Sequence, residues 1–269
     1  MTSPCEVHIF SNNENKARMV AGKILEYSKN LEIKYNFYNP DSYLSFINQR
    51  KIQNLDTQTE DLLKKAHYFY GKTKGIFDIT MGTLVQSRKE ENLVKVEEVM
   101  QQLLPYVGTE HFKINRHKIR FDNPHTLIDF GGFVKEYAVD MAVKILKKHK
   151  ISSALVNFGG DIYALGLKPS QEPFSIGIKN PKNPQEYLTH IDISNQALTT
   201  SASYERSYQV EDKSFSHIIS RDKIQNEILS ATVISSSTLE SGVFSTTLMI
   251  QPSFSTSLKK ILINKSLMF

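Results

Sequence analysis

The chain has 269 residues, 40% hydrophobic and 10% aromatic, enough to bury a real core as one large domain or two small ones. Its 33 basic and 28 acidic residues give a net charge of +5 scattered along the chain, densest in the KKHK run at 147–150, which argues against a nucleic-acid face. A single cysteine, Cys5, excludes an internal disulfide framework, no Cys/His spacing suits zinc, and no run approaches the ~20 apolar residues of a membrane span.

The opening MTSPCEVHIF lacks the basic and apolar regions of a secretory leader, so the chain as written is expected to be cytoplasmic. Residues 6–10 read as a strand, with Cys5 a small half-buried strand residue and no candidate nucleophile. Residues 14–28 read as a helix with Met19, Val20, Ile24 and Leu25 inward. Pro40-Asp41-Ser42 combines turn and N-cap chemistry ahead of a short helix with Leu44 and Ile47 inside. Residues 56–70 predict a helix opened by Thr57-x-x-Glu60 and ended at Gly71.

In GIFDITMGTLV, Asp78 is a lone carboxylate within an apolar run, costly to bury unless paired. It suits either a turn or helix cap, or a group that accepts hydrogen bonds from a bound ligand. A polar helical segment at 88–104 leads to a strand pair across 112–121, joined by Asn115-Arg116-His117.

Residues 127–166 are the stretch around which the rest is arranged: a buried strand (127–130), Gly131-Gly132, a helix (135–148), a second buried strand (154–158) and Gly159-Gly160. Tyr137, Ala138, Met141, Ala142, Ile145 and Leu146 recur at three and four residue spacings, so that face packs on a sheet while Lys144, Lys147 and Lys148 face away. The pair Gly131-Gly132 lets backbone amides approach a ligand closely, and the helix start that follows attracts a phosphate. The same pair equally suits a tight turn packing a helix on a strand, and it is neither a dinucleotide fingerprint nor a Walker motif.

Strands follow at 174–178 and 190–193 around NPKNP, then ALTTSASYERSY, a strand at 217–219, another at 231–234 and a helix at 238–249. Strands and helices alternate throughout, which favours a mixed α+β domain.

Taken in order, GIFDITMGTLV, IDFGGFVKEYAVD, ALVNFGGDI, LTTSASYERSY with HII, and the STT helix resemble the successive motifs of the ApbE-type FAD:protein FMN transferases. MTSPCEVHIF and YNPDSYLSFIN resemble that family's opening segments, so the likeness covers nearly the whole chain. It implies a single T-fold-type α+β domain over 1–269, with mixed and antiparallel sheets packed by helices. It also implies FAD as substrate with magnesium, cleavage to AMP, and attachment of FMN through a phosphoester to a threonine of an acceptor flavoprotein. The flavin and adenine contacts carried over are Met1, Tyr38, Ile76, Phe77, Asp78, Gly131, Tyr137, His217 and Ile219, with Ser201 and Tyr204 as further candidates. The metal would be held by the Val134 carbonyl with Ser245 and Thr246.

The chain departs from that pattern where it matters for a metal. The acidic position of the last helix is Gly242, the family's K-G-Y is Lys135-Glu136-Tyr137, and its H-I-I-D-P is His217-Ile218-Ile219-Ser220-Arg221. Magnesium prefers hard oxygens, usually with a carboxylate among them. Glu240 lies about 200° around a helix from Gly242 and does not simply substitute. Two readings follow: a transferase whose metal site is rebuilt with Asp161, Glu136 or Glu240, or a protein that binds or merely hydrolyses FAD.

Overall fold

A computed structural model of the chain describes residues 3–90, 92–183, 185–203, 207–210, 213–216 and 228–264. In chain order its elements are β1 (Cys5–Ile9), α1 (Glu14–Lys34), α2 (Tyr43–Asn48), α3 (Thr57–Lys72), α4 (Leu93–Leu103), β2 (Phe112–Asn115), β3 (Lys118–Phe121), α5 (Val134–Lys148), β4 (Ala154–Phe158), β5 (Asp161–Leu165), β6 (Phe174–Lys179), β7 (Tyr187–Ile193), β8 (Gln196–Ala202), β9 (Ser207–Val210), β10 (Lys213–Ser216), β11 (Ile228–Ser235), α6 (Thr238–Ile250) and β12 (Lys259–Asn264). A 3-10 helix covers Ile79–Lys89. Among the described residues no helix is long and apolar enough to cross a membrane.

The chain divides into two compact units, the first drawn from within Met1–Ile33, Phe133–Ala202 and Glu227–Phe269. Its centre is a six-stranded sheet in the order β1-β4-β5-β8-β11-β12, every neighbouring pair antiparallel. Side chains alternate across a sheet with a period of two. On one face Ala164, Leu198, Ile234 and Ile263 meet Phe174, Ile176, Ile178, Ile191 and Ile193 of the β6–β7 hairpin in one apolar cluster. The opposite face takes α5 and α6, which pack on β4, β5, β8 and β11. The same alternation puts Asp161, Thr199 and Ser201 on the helix-bearing face, and Asp161 and Thr199 are direct register partners.

The face of α5 is wider than its spacing implies. Tyr137, Ala138, Ala142 and Leu146 are buried as expected, and so are Val139 and Val143, while Met141 and Ile145 are only half-buried. The turn between β4 and β5 needs both glycines, at φ +59 and +92. A Cβ on Gly159 would lie 2.5 Å from the Ser3 Cβ, and its N–H already donates to the Pro4 carbonyl at 2.9 Å. Packing of the chain's first residues accounts for Gly159 without a ligand.

The second unit is drawn from within Lys34–Gly132 and Ser203–Asn226. It holds α2, α3, the long 3-10 helix, α4 and the β2–β3 hairpin, around a core that includes Leu44, Ile47, Leu62, Leu63, Ala66, Leu84, Ile119, Ile128 and Phe130. The hairpin turns on Arg116 and His117, both left-handed at φ 46 and 63, as a two-residue turn matched to strand twist requires.

Several sequence expectations change. Residues 127–130 form no strand, with Ile128 and Phe130 buried and Leu127 and Asp129 half-buried. Asn48 donates to the Ile128 carbonyl at 2.8 Å and accepts its N–H at 2.9 Å, while Thr83 accepts the Leu127 N–H at 2.9 Å. Side chains thus take the place of a neighbouring strand. Helix α1 runs past residue 28 to Lys34 because Leu31 continues its buried stripe, while Met19 and Leu25 are exposed. Asp56, one residue ahead of Thr57, caps α3 by accepting the Thr59 N–H at 2.9 Å. Residues 88–104 are divided between the 3-10 helix and α4, which Asn92 caps. Cys5 is exposed as a residue, but partial desolvation of its thiol raises its pKa, the wrong direction for a nucleophile. The expected strand at 217–219 lies outside the described residues.

Candidate functional site

In the second unit, Asp78 is buried and caps the 3-10 helix. Its Oδ1 accepts the Thr80 N–H at 2.8 Å and the Thr80 hydroxyl at 2.6 Å, and that hydroxyl accepts the Gly108 N–H at 2.7 Å. Of the two roles open to this carboxylate, the cap is therefore built. Ile76 is half-buried and Phe77 buried in the turn before it, whereas Tyr38 is 75% exposed with its ring against Phe37 at 5.4 Å. The Gly131 N–H donates to Asp129 Oδ1 at 2.8 Å, so a side chain of the same motif holds that amide.

In the first unit the helix-bearing face carries a compact group of polar side chains. Val134 opens α5, whose start at Phe133 has no side-chain cap. The other α-helices are capped by Asn13, Ser42, Asp56, Asn92 and Ser237. One residue on, the Lys135 ammonium pairs with the Asp161 carboxylate, both largely buried, and donates to the Phe158 carbonyl at 3.3 Å. Tyr137 is buried on the next position but one.

Between these lies Glu136, 7% exposed, whose Oε2 has no hydrogen-bond partner among the described residues. A Cβ built on Gly242 would meet Glu136 Cγ at 2.5 Å and Cδ at 3.2 Å. Burial, with the Glu136 carboxylate adding to it, pushes the Asp161 carboxyl up to about 8 against the pull of Lys135. Two acids thus share a buried region with one lysine.

Hydroxyls from α6 and β8 complete the group. Ser245 donates to the Gly242 carbonyl at 3.0 Å and lies 2.8 Å from the Ser201 hydroxyl, which is 3.3 Å from that of Thr246. With the Ser245 proton committed to Gly242, Ser201 donates to Ser245 and accepts from Thr246. Helix α6 starts at Thr238, ahead of Glu240, which is half-buried away from Gly242's position on the helix.

The structure therefore brings Val134, Ser245, Thr246, Ser201, Asp161 and Glu136 to one face of one unit, and Tyr38, Ile76, Phe77, Asp78 and Gly131 to the other unit. Met1, Tyr204, His217 and Ile219 lie outside the described residues. The Lys135–Asp161 pair, and the carboxylate of Asp140 on α5 that accepts the Thr238 and Leu239 N–H groups at the start of α6, have no signature in the sequence, because each joins elements far apart along the chain. Among the described residues no three carboxylate, imidazole or thiol groups cluster together.

Residues 1–259 match the model of the ApbE family. The FAD:protein FMN transferase of Vibrio cholerae serotype O1 is 28% identical over 191 residues, 68% of this chain and 57% of the relative. That of Chlamydia pneumoniae is 30% identical over 193 residues, 69% of this chain and 59% of the relative. The chain thus spans under two thirds of the length of these curated relatives. An ApbE protein from Thermotoga maritima superposes with a TM-score of 0.86 at 24% identity, over 98% of this chain and 94% of that one. The flavin transferase ApbE from Vibrio cholerae superposes with a TM-score of 0.80 at 23% identity, over the same 98% and 94%. The shared architecture is α+β with antiparallel sheets.

Proposed function

Because the chain belongs to the ApbE family, we propose that it binds FAD, cleaves its diphosphate to release AMP, and places FMN on a hydroxyl of an acceptor flavoprotein, a threonine in the form its motifs resemble. The family model spans residues from both compact units, which supports treating 1–269 as one functional domain.

The observation that carries this reading is the polar face shared by α5, α6, β5 and β8. Phosphoryl transfer needs positioned phosphate oxygens, neutralisation of developing charge and a prepared hydroxyl more than it needs covalent work from the protein. That face offers a lysine, two buried carboxylates and three linked hydroxyls in one place. Asp78, Phe77, Ile76 and Tyr38, with Gly131, Tyr137, His217 and Ile219, remain the proposed flavin and adenine contacts.

A divalent cation is part of the reading. Neutral oxygens of Val134, Ser245 and Thr246 alone make a poor donor set for magnesium, and the same face carries two buried carboxylates, Glu136 and Asp161, from which an anionic oxygen could come. Those residues would hold the ion, which when bound neutralises charge on the diphosphate. Lys135 is held by Asp161, so this chain's own cation is fixed in place at the same face.

The test is incubation of the purified protein with FAD and magnesium, with and without a candidate acceptor. Release of AMP together with flavin fixed to the acceptor is the expected result. AMP without acceptor labelling would make the protein a FAD pyrophosphatase, and retained, uncut FAD would make it a flavin carrier.

A further inference from the structure

Two residues far apart in the sequence, Glu136 on α5 and Gly242 on α6, have exchanged space. The Glu136 side chain fills the volume in which any side chain at 242 would begin, with Cγ 2.5 Å and Oε1 3.2 Å from that residue's would-be Cβ. Its carboxylate is 7% exposed and its Oε2 lacks a partner among the described residues. A carboxylate buried in that state is costly unless a proton or a cation joins it. Lys135 does not fill the role, because its ammonium is engaged by Asp161 and the Phe158 carbonyl.

The polar atoms on the neighbouring stretch of α6 and on β8 are hard oxygens. Gly242 itself contributes a carbonyl that already receives the Ser245 hydroxyl at 3.0 Å, and Ser201 and Thr246 add further oxygens, with no sulfur or imidazole in the set. Magnesium and manganese take such oxygens and fill the remaining positions with water.

We propose that Glu136 is the anionic ligand of a divalent cation at the α5–α6 face, reaching from α5 to do what a short acid at position 242 would do from α6. The glycine at 242 is then the condition that admits the longer acid. This inference rests on the reading of that face as the FAD-cleaving site, and it adds which helix carries the charge.

The experiment is a Mn2+ titration of the purified full chain without FAD, followed by the electron paramagnetic resonance of the free ion, with Mg2+ as competitor. Glu136→Gln keeps the volume and is expected to weaken Mn2+ binding at least tenfold. Gly242→Asp alone meets Glu136 and is expected to lower the melting temperature. The exchange Glu136→Gly with Gly242→Asp is expected to recover both melting temperature and Mn2+ affinity to within a few fold of the original chain.

Unchanged Mn2+ affinity in Glu136→Gln would overturn the assignment, as would an exchange variant that folds but binds no Mn2+. AMP release from FAD separates the two levels of the argument. A parent chain that cuts FAD while Glu136→Gln binds Mn2+ normally removes only the role of Glu136. A parent chain that neither binds Mn2+ nor releases AMP removes both.

Discussion

Asp140 on α5 accepts the backbone N–H groups of Thr238 and Leu239 at 2.7 and 3.1 Å, so one helix caps another. Ser237 accepts the Glu240 N–H at 3.2 Å and Ser235 accepts that of Ser237 at 3.3 Å. The donors that a helix start leaves unpaired are all taken, and α6 is pinned to α5 at the end nearest Gly242.

Asp140→Ala should therefore destabilise the chain by about 1–2 kcal/mol, the range for loss of a helix cap. Asp140→Asn, which keeps an accepting oxygen, should lose less. Urea unfolding of the three chains measures the order.

The same carboxyl gives a pH dependence. Burial raises its pKa from the ordinary 3.8, against the pull of the two amides. The folded chain then keeps a proton that the unfolded chain has lost, so this group's contribution to stability declines as pH rises from its unfolded to its folded value. Relative to Asp140→Asn, the parent chain should lose stability on moving upward from about pH 4. A flat difference across that range would mean that the amides fully support the charge.

Lys135→Ala removes the ammonium that draws the Asp161 carboxyl down, so Asp161 should take up a proton, and loss of the buried pair should cost about 1–3 kcal/mol. Adding Asp161→Asn should change little further, because the carboxyl is already neutral in the single variant. Thermal melts of the single and double variants give the coupling directly.

Asn48→Ala strips both backbone groups of the fully buried Ile128 of their partners. At roughly 1–3 kcal/mol for each unmet group, the loss should be about 2–6 kcal/mol in urea unfolding.

Asp78→Asn retains an oxygen that can accept from Thr80 and so should stay within about 1 kcal/mol of the parent in stability. Its FAD affinity should fall markedly in a fluorescence titration. Full affinity would leave Asp78 with its capping role alone.

What the sequence showed best were elements whose reasons are local. The strand at 154–158 and its glycine turn, the hairpin around Arg116-His117, the Ser42 cap and the helix of 135–148 all rest on alternation, helical spacing or turn chemistry. The failures were tertiary. An apolar run at 127–130 looks the same whether a strand or a pair of side chains supplies its hydrogen bonds, and Asn48 and Thr83 are distant in the chain. Met19 and Leu25 fit a helical stripe but point to solvent, since spacing alone does not say where a stripe ends. At the candidate site, Glu136 and Gly242 each stood out as a separate departure from a pattern. Only the packing of α5 against α6 made them one event.

The borrowed pairing of residues 127–130 has a consequence for the chain's behaviour when crowded or partly opened. Leu127 and Ile128, with Phe130, form an apolar run of the kind on which foreign strands template aggregation. Here the amides of Leu127, Ile128 and Asp129 are already committed to Thr83, Asn48 and the Ile79 carbonyl. A side chain fixed in the fold cannot slip in register as a neighbouring strand can, so these three amides are not on offer to a strand from another molecule.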